Sequence, residues 1–500
     1  MESILTFLED KTILATGATG FLAKIFVEKV LRVQPKVKKL YLLLRAPDAN
    51  AAALRFQNEV IGKELFRVLK ELWGENFSSM VSEKVVVVPG DISADRLGIT
   101  DSDMRNQIWG QADAIINFAA TTKFDERYDV SLGINTLGAK HVVNFAKKCS
   151  NLKVLVHVST AYVCGEKGGL IKETQYEMGE TLNGVMGLDI DAEVNLAQSK
   201  LSELSAMGSS PGEISMAMKD LGLSRAKKYG WPNTYVFTKA MGEMLVGQLK
   251  GDLSVAISRP TVVISTYKEP FPGWIEGVRT IDSVLVGYGK GKVTCFLCDP
   301  KGIIDMIPAD MVVNSIIAAM VANAGRSGRP LKEKIYQVGS SLRNPVRYCE
   351  VQQSTNHYFS RNPWINKEGK AVIVGKIKIL SSMASFQRHM ALRYMLLLKG
   401  LEVGNAALCN LFHSTCVDMN RKIGLVMHLI EIYRPYLFFE GVFDDMNTER
   451  LRNSVRENGS TSDANIFYFD SKWINWDYYL REIHLVGLVT YVFKRSCCLY

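Results

Sequence analysis

The sequence predicts an α/β fold: a doubly wound parallel sheet with an appended, mainly helical C-terminal domain. Three observations carry this expectation. Short, almost unbroken apolar runs recur at residues 12–16, 39–44, 84–88, 113–117, 153–159 and 253–258, and such runs read as strands buried on both faces. Between the earlier runs lie stretches with apolar residues at three- and four-residue spacing, as at 22–33 and 133–149, so strands alternate with helices in the manner of a parallel sheet covered on both sides. After about residue 345 the glycine-rich strand ends disappear, and 376–440 becomes rich in Met, Leu and Tyr with interspersed Arg and Lys. The expected division is 1–345 for the sheet domain, 346–375 for a connector containing the turn-like Arg361–Asn366, and 376–500 for the helical domain.

At 500 residues, 47% hydrophobic and 22% charged, the chain can bury a large core, and disorder and fibrous repeats are excluded. Sixty Lys and Arg against 51 Asp and Glu leave a net charge of +9. That excess suits an anionic ligand or an anionic membrane surface and gives no reason to expect nucleic acid as a partner. The nine cysteines are odd in number and scattered, and the N-terminus carries Glu2 with no apolar segment behind a basic one, which argues against export. The sequons at Asn76 and Asn458 then have no meaning. The most apolar stretches, 311–324 and 390–412, are broken by Asn314 and by Arg393, Lys399 and Glu402, so a spanning helix is not expected.

The segment Thr16-Gly17-Ala18-Thr19-Gly20-Phe21-Leu22-Ala23-Lys24 follows the first strand and opens a helix. Gly17 permits a tight turn, Gly20 lets backbone N–H groups approach a pyrophosphate at the helix N-terminus, and Ala23 allows close packing of helix on strand. This is the dinucleotide turn of a Rossmann-type sheet. The second strand ends at Leu44-Arg45 without an acidic residue; an acid there would grip the ribose 2′-hydroxyl of NAD, whereas a guanidinium suits a 2′-phosphate. NADPH is the expected cofactor. Gly90-Asp91-Ile92 follows the third strand, with Asp91 placed to accept from the adenine amine, and Asn117, Ala119 and Ala120 end the fourth close to the cofactor.

Tyr235 and Lys239 stand at i and i+4, on one face of one helix whose start is signalled by Gly230-Trp231-Pro232-Asn233. The strand 153–159 brings Ser159 and Thr160 to the carboxyl edge of the sheet, where ligands bind in such folds. Together these residues suit carbonyl reduction. Tyr235 gives a proton to an oxygen that becomes negative as hydride arrives, Lys239 lowers the phenol pKa and holds the nicotinamide ribose, and a hydroxyl from Thr160 or Ser159 polarises the carbonyl.

With these motifs in order, the first 345 residues resemble the extended short-chain dehydrogenase/reductases. Nearly the whole chain resembles the alcohol-forming fatty acyl-CoA reductases, in particular the plant branch that makes primary alcohols for waxes. The resemblance rests on Thr16–Lys24, Tyr41–Ala46, Pro89–Ile92, Asn117–Ala120, His157–Tyr162, Gly230–Tyr235, Arg259-Pro260-Thr261, Phe271–Gly277, Ile307–Met311, Phe443–Arg450 and Ile474–Tyr478. The last two blocks look like that family's helical "male sterility" domain. What the resemblance implies is reduction of a long-chain acyl-CoA to a primary alcohol with two NADPH, through a bound aldehyde and without a nucleophilic Cys. It implies cofactor contacts at Thr16, Gly17, Thr19, Gly20, Phe21, Leu22, Arg45, Asp91, Ile92, Asn117, Tyr235, Lys239 and Pro260, and catalysis by Tyr235, Lys239 and Thr160 or Ser159. The tail Lys494–Tyr500 departs from the family's usual end.

Between Thr160 and Tyr235 the chain is longer than a strand–helix connection needs, with helix-like segments at about 190–207 and 211–229. The insertion 166–229 is expected to cover the acyl-CoA, with Met207, Met216 and Met218 able to adapt to its alkyl chain. Gly208–Gly212 fits G-x-S-x-G but follows no strand, and Cys295 and Cys298 lack the partners a zinc site needs. Residues 386–401 combine apolar side chains with Arg388, Arg393 and Lys399, as a core helix or an interfacial one would. Lys494, Arg495, Cys497 and Cys498 are compatible with S-acylation. A peripheral position on the cytosolic face of the endoplasmic reticulum is the expected location, with the family resemblance supplying much of its weight.

Overall fold

The computed structural model of the protein describes residues 2–324, 334–366, 368–407, 413–458 and 461–493. Seven strands form one sheet: β1 (Thr12–Thr16), β2 (Lys39–Leu44), β3 (Val85–Pro89), β4 (Ala114–Asn117), β5 (Val154–Val158), β6 (Val255–Pro260) and β7 (Lys334–Val338). Their order is 3-2-1-4-5-6-7, and all neighbours run parallel. The six apolar runs supply β1 to β6. Strand β3 begins at Val85 because Lys84 closes the preceding helix. Strand β5 stops at Val158, and Thr160 caps the short turn Ala161–Cys164 by accepting from Tyr162 N–H at 3.3 Å. The strand order reverses between β1 and β4, whose ends lie level at Thr16 and Asn117. That reversal opens the crevice in which such sheets bind ligands.

The helices that position the site are α1 (Phe21–Val33), α2 (Ile190–Ala206), α3 (Pro211–Lys228), α4 (Thr234–Leu249), α5 (Thr280–Gly289), α6 (Ala309–Asn323), α7 (Tyr348–Arg361), α8 (His413–Leu437) and α9 (Met446–Asn458). Helices α2 and α3 form the insertion, and α3 opens with Pro211 behind a Ser210/Glu213 capping box, a pairing that satisfies two orphan backbone donors at once. The Gly208–Gly212 segment is therefore the turn between two helices. Helix α6 coincides with the apolar stretch 311–324; every residue in it except Ala322 is buried, and Asn314 donates to Tyr468 O at 2.8 Å. Its apolarity on all sides is that of a core helix. Among the described residues no helix is long and apolar enough to cross a membrane.

The C-terminal third is stitched to the sheet domain at several points. Lys378–Leu380 pairs with Cys295–Leu297, and Gly441–Phe443 pairs with Gly169–Ile171 at the start of the insertion. Helix α9 lies against the edge strand β7: Asn447 Nδ2 donates to Ile335 O (2.9 Å) and Thr448 Oγ1 to Gln337 O (2.7 Å). Glu173 joins both, accepting from Gln337 N (2.9 Å) and Asn447 N (2.6 Å). Tyr479 and His484 reach Ser265, and His484 also meets Asp282 Oδ1 at 3.1 Å. One hydrophobic core runs from Ile4 to Phe493. Helix α7 ends at Arg361, and Trp364–Ile365 then pairs with Ala371–Val372 as a small antiparallel hairpin. In the helical run over 383–407, Phe386, Met390 and Leu398 are buried while Leu392, Met395, Leu396 and Leu397 face solvent, so this segment has both a core side and an exposed apolar side. Lys494, Arg495, Cys497 and Cys498 lie outside the described residues.

Candidate active site

The turn between β1 and α1 has the shape a pyrophosphate needs. Gly17 adopts φ +65°, and a Cβ there would sit 2.7 Å from Ala119 Cα, so a side chain is excluded by both strain and space. Gly20 N–H bonds Gly17 O at 2.8 Å, and Gly20 caps α1 with no side-chain bond to its first-turn N–H groups, which leaves them for an anion. The residues present therefore fit a dinucleotide. Thr16 and Asn117 lie beneath the turn: Thr16 Oγ1 donates to Asn117 Oδ1 (2.6 Å) and accepts from Ala119 N–H (3.3 Å), locking the ends of β1 and β4 together. Thr19 and Leu22 are half-buried. Phe21 is buried and stacks on Trp274, ring centroids 5.2 Å apart.

Arg45 is exposed past the end of β2, and its guanidinium makes no ion pair or hydrogen bond among the described residues. Asp91 Oδ1 accepts from Ser93 N (2.9 Å) and Ser93 Oγ (2.8 Å). Ile92 is buried, its carbonyl fixed by His141 Nδ1 at 2.8 Å, and buried Pro260 closes β6. A further cation, Arg279, stands 4.7 Å over the Phe21 ring, beside the first turn of α1.

The catalytic candidates meet on the other side of the crevice. Asn233 caps α4 by accepting from Val236 N–H at 3.1 Å, placing Tyr235 in the first turn and Lys239 one turn on. The Thr160 hydroxyl lies at the Tyr235 phenol and draws its pKa down, but burial is the larger effect and pushes it up to about 12. Ser159 Oγ is buried with no hydrogen-bond partner among the described residues. Lys239 is fully enclosed. Its ammonium donates to Val158 O at 2.7 Å and lies 3.5 Å from His157 Nε2, and desolvation, opposed by Glu243, takes its pKa down to about 8. Glu243 is in turn paired with Arg259 at 3.0 Å, both buried. His157 also accepts from Asn117 Nδ2 at 3.1 Å on Nδ1, so a buried polar chain runs from Lys239 to the cofactor turn. Burial and Lys239 hold the His157 pKa well below its ordinary value, which keeps the imidazole neutral.

Three segments roof this centre. Phe124, in the loop after β4, stacks on Tyr235 at 5.9 Å and 13°. Its ring also packs against Tyr433 (5.3 Å) and Tyr436 (5.1 Å) of α8. Asp125 accepts from Lys219 of α3 at 3.1 Å and lies 3.5 Å from His428 of α8. Of the three methionines expected to adapt to the alkyl chain, Met207 and Met216 face solvent, while Met218 packs in the core on the inner side of α3. A small apolar cavity lies between α5, α7 and residues 377–379, lined by Leu285, Tyr288, Phe296, Tyr348, Val351 and Ile379 among others.

Residues 15–316 match the family described as "Male sterility protein", and residues 394–495 match a second family of the same description. The chain is 55% identical over 492 residues to "Alcohol-forming fatty acyl-CoA reductase" of Simmondsia chinensis, covering 98% of this chain and 99% of that one. The chain belongs to the fatty acyl-CoA reductase family. Another member, "Fatty acyl-CoA reductase 1" of Arabidopsis thaliana, is 52% identical over 490 residues, 98% of this chain and 99% of that one. Among solved structures, the terminal R domain from the myxalamid PKS-NRPS biosynthetic pathway aligns at a TM-score of 0.55, with 17% identity over 98% of this chain and 92% of that one. At that identity the likeness concerns the fold alone.

In this fatty acyl-CoA reductase, the residues missed by sequence reasoning come from distant parts of the chain. Phe124 and Tyr436 are brought to Tyr235 by the loop after β4 and by α8. His157 stood in a recognised block, and its place two residues before Ser159 puts it on the same side of β5, a signal that was present but unread. Nothing local to Tyr436 marks it among the tyrosines of 376–440.

Proposed function

We propose that the protein reduces long-chain fatty acyl-CoA to the primary alcohol at the expense of NADPH, through a bound aldehyde, in lipid or wax biosynthesis. The observation that carries this reading is the meeting of Tyr235, Thr160 and Lys239 across the crevice from the Gly17 turn, in a chain of this family. When bound, a reduced nicotinamide would supply one hydride to the carbonyl carbon, the first NADPH serving the thioester and a second, bound after NADP⁺ has left, serving the aldehyde. Tyr235, protonated at neutral pH because burial raises its pKa, gives its phenolic proton to the carbonyl oxygen as charge develops there. Thr160 donates a hydrogen bond to the same oxygen. The thiohemiacetal hydroxyl then returns its proton to Tyr235 while the C–S bond breaks, the carbonyl reforms and the CoA thiolate leaves. Tyr235 donates again, now to the aldehyde oxygen, the alcohol departs, and the phenolate regains a proton from solvent. Lys239 keeps a positive charge beside the site and holds the nicotinamide ribose.

Arg45 favours NADPH over NADH, since an unpaired guanidinium at that strand tip matches a 2′-phosphate with two parallel bonds. Tyr348 donates to Tyr436 O at 3.2 Å, Tyr436 packs on Phe124 and Phe124 on Tyr235, so aromatic side chains continue from the phenol to Tyr348. The exposed Leu392, Met395, Leu396 and Leu397, interspersed with exposed Arg388, Arg393 and Lys399, suit peripheral attachment to an anionic membrane, for which the cytosolic face of the endoplasmic reticulum is our assignment. Gas chromatography of the alcohols formed by the purified protein from a mixed acyl-CoA pool with NADPH tests the reading. Long-chain primary alcohols are expected; their absence would refute it.

A further inference from the structure

We infer that Tyr436, a residue of the C-terminal helical part, is a second hydrogen-bond donor to the substrate carbonyl oxygen, needed more for the thioester than for the aldehyde. The inference rests on the acyl-CoA reductase reading above. Its starting point is Asn233. The side-chain oxygen of Asn233 accepts from Val236 N–H (3.1 Å) and its Nδ2 donates to the Tyr436 hydroxyl (2.7 Å). The backbone N–H fixes which end of the amide is the oxygen, so the Tyr436 oxygen is the acceptor in that bond and its own proton must point elsewhere. Among the described residues that proton has no acceptor.

Its surroundings put the Tyr436 ring beside the reaction centre. Tyr436 packs on Phe124 at 5.1 Å and edge-on against Tyr162 at 5.2 Å, Phe124 in turn stacks on Tyr235, and Asn233 precedes Tyr235 by two residues on the same helix start. Burial and the neighbouring Tyr235 raise the Tyr436 pKa, so its hydroxyl stays protonated. It is therefore a neutral, oriented donor with a fixed oxygen, held on one side by Asn233 and through its carbonyl by Tyr348. Tyr235 is a proton donor whose proton leaves during the reaction; Tyr436 keeps its proton and stabilises charge on the oxygen. A thioester carbonyl is a poorer electrophile than an aldehyde, so its reduction draws more on donors that bind the developing oxyanion.

The experiment compares acyl-CoA-dependent with fatty-aldehyde-dependent NADPH oxidation in wild type, Tyr436→Phe and Asn233→Asp, with NADPH affinity measured by fluorescence titration. Tyr436→Phe keeps the ring packing and removes only the donor. Asn233→Asp keeps the helix cap but offers the phenol an acceptor, capturing its proton. Each is expected to lower kcat for acyl-CoA by about 10²-fold, the usual cost of one oxyanion donor, with a much smaller loss on the aldehyde and an unchanged NADPH affinity. Equal losses on both substrates would mark the Tyr436–Asn233 bond as a docking contact and overturn the inference, as would no loss on either. If wild type itself oxidises NADPH with aldehyde but not with acyl-CoA, it is the acyl-CoA reading that fails.

Discussion

Enclosing an ammonium weakens its hold on a proton, and Lys239, with its charge shut in behind β5 and its pKa near 8, is the titrating group closest to the chemistry in pH. Because the protonated form is the one that stays below that value, the rate should hold through neutral pH and fall about tenfold per unit above about pH 8. A profile of kcat against pH checks this; an alkaline limb that stays flat through that range would show that the ammonium is dispensable. Arg45 makes the second residue-scale prediction. Charge-assisted bonds to phosphate contribute about 1.5–3 kcal/mol, so Arg45→Ala should raise the Michaelis constant for NADPH by roughly tenfold to a hundredfold and leave that for NADH nearly unchanged. Equal effects on the two cofactors would show that Arg45 is not a 2′-phosphate reader. At this scale the sequence was informative where spacing along one helix encodes proximity, as for Tyr235 and Lys239. It was silent on the Asn117–His157–Lys239 chain, whose members sit on three separate elements.

Each strand of a parallel sheet buried on both faces is mostly apolar, which is why β1 to β6 could be read from the chain as apolar runs. Strand β7 escaped because it carries Lys334 and Gln337, polar residues tolerated at an edge that α9 covers. The covering helix is tied down by Glu173, which joins Gln337 of β7 to Asn447 of α9. Burial raises the Glu173 pKa to about 7. The folded chain thus keeps this proton up to about pH 7 while the unfolded chain releases it near its ordinary 4.5, so this group's contribution to stability is present at low pH and is lost as pH rises through that window. Melting curves across the window should therefore show a steeper decline for wild type than for Glu173→Gln. Parallel curves would remove Glu173 as the source of the slope. Replacement by Ala strands two buried N–H groups and should cost at least about 2 kcal/mol.

Over the whole molecule, the C-terminal third does what the sheet alone cannot: it closes the edge strand, roofs Tyr235 with α8 and walls the apolar cavity. None of this was legible beforehand, because contacts such as Asn233 with Tyr436 join residues some two hundred positions apart and leave no periodic trace in either segment. The outer side of the same region presents Leu396 and Leu397 to solvent beside Lys399. If this face is the proposed membrane contact, Leu396→Asp with Leu397→Asp should greatly weaken binding to vesicles containing phosphatidylserine while leaving turnover of a dispersed acyl-CoA intact; no vesicle binding by wild type, or unchanged sedimentation of the variant, would count against it. The central claim is that one site built around Tyr235 carries both reductions. The most direct measurement is the stoichiometry of the purified protein, NADPH consumed against alcohol formed from a single acyl-CoA, alongside Tyr235→Phe. Two NADPH per alcohol are expected, with both reductions slowed by about 10²–10⁴-fold in the variant. A ratio of one with aldehyde as the product, or a Tyr235→Phe variant that still makes alcohol at the wild-type rate, would contradict it.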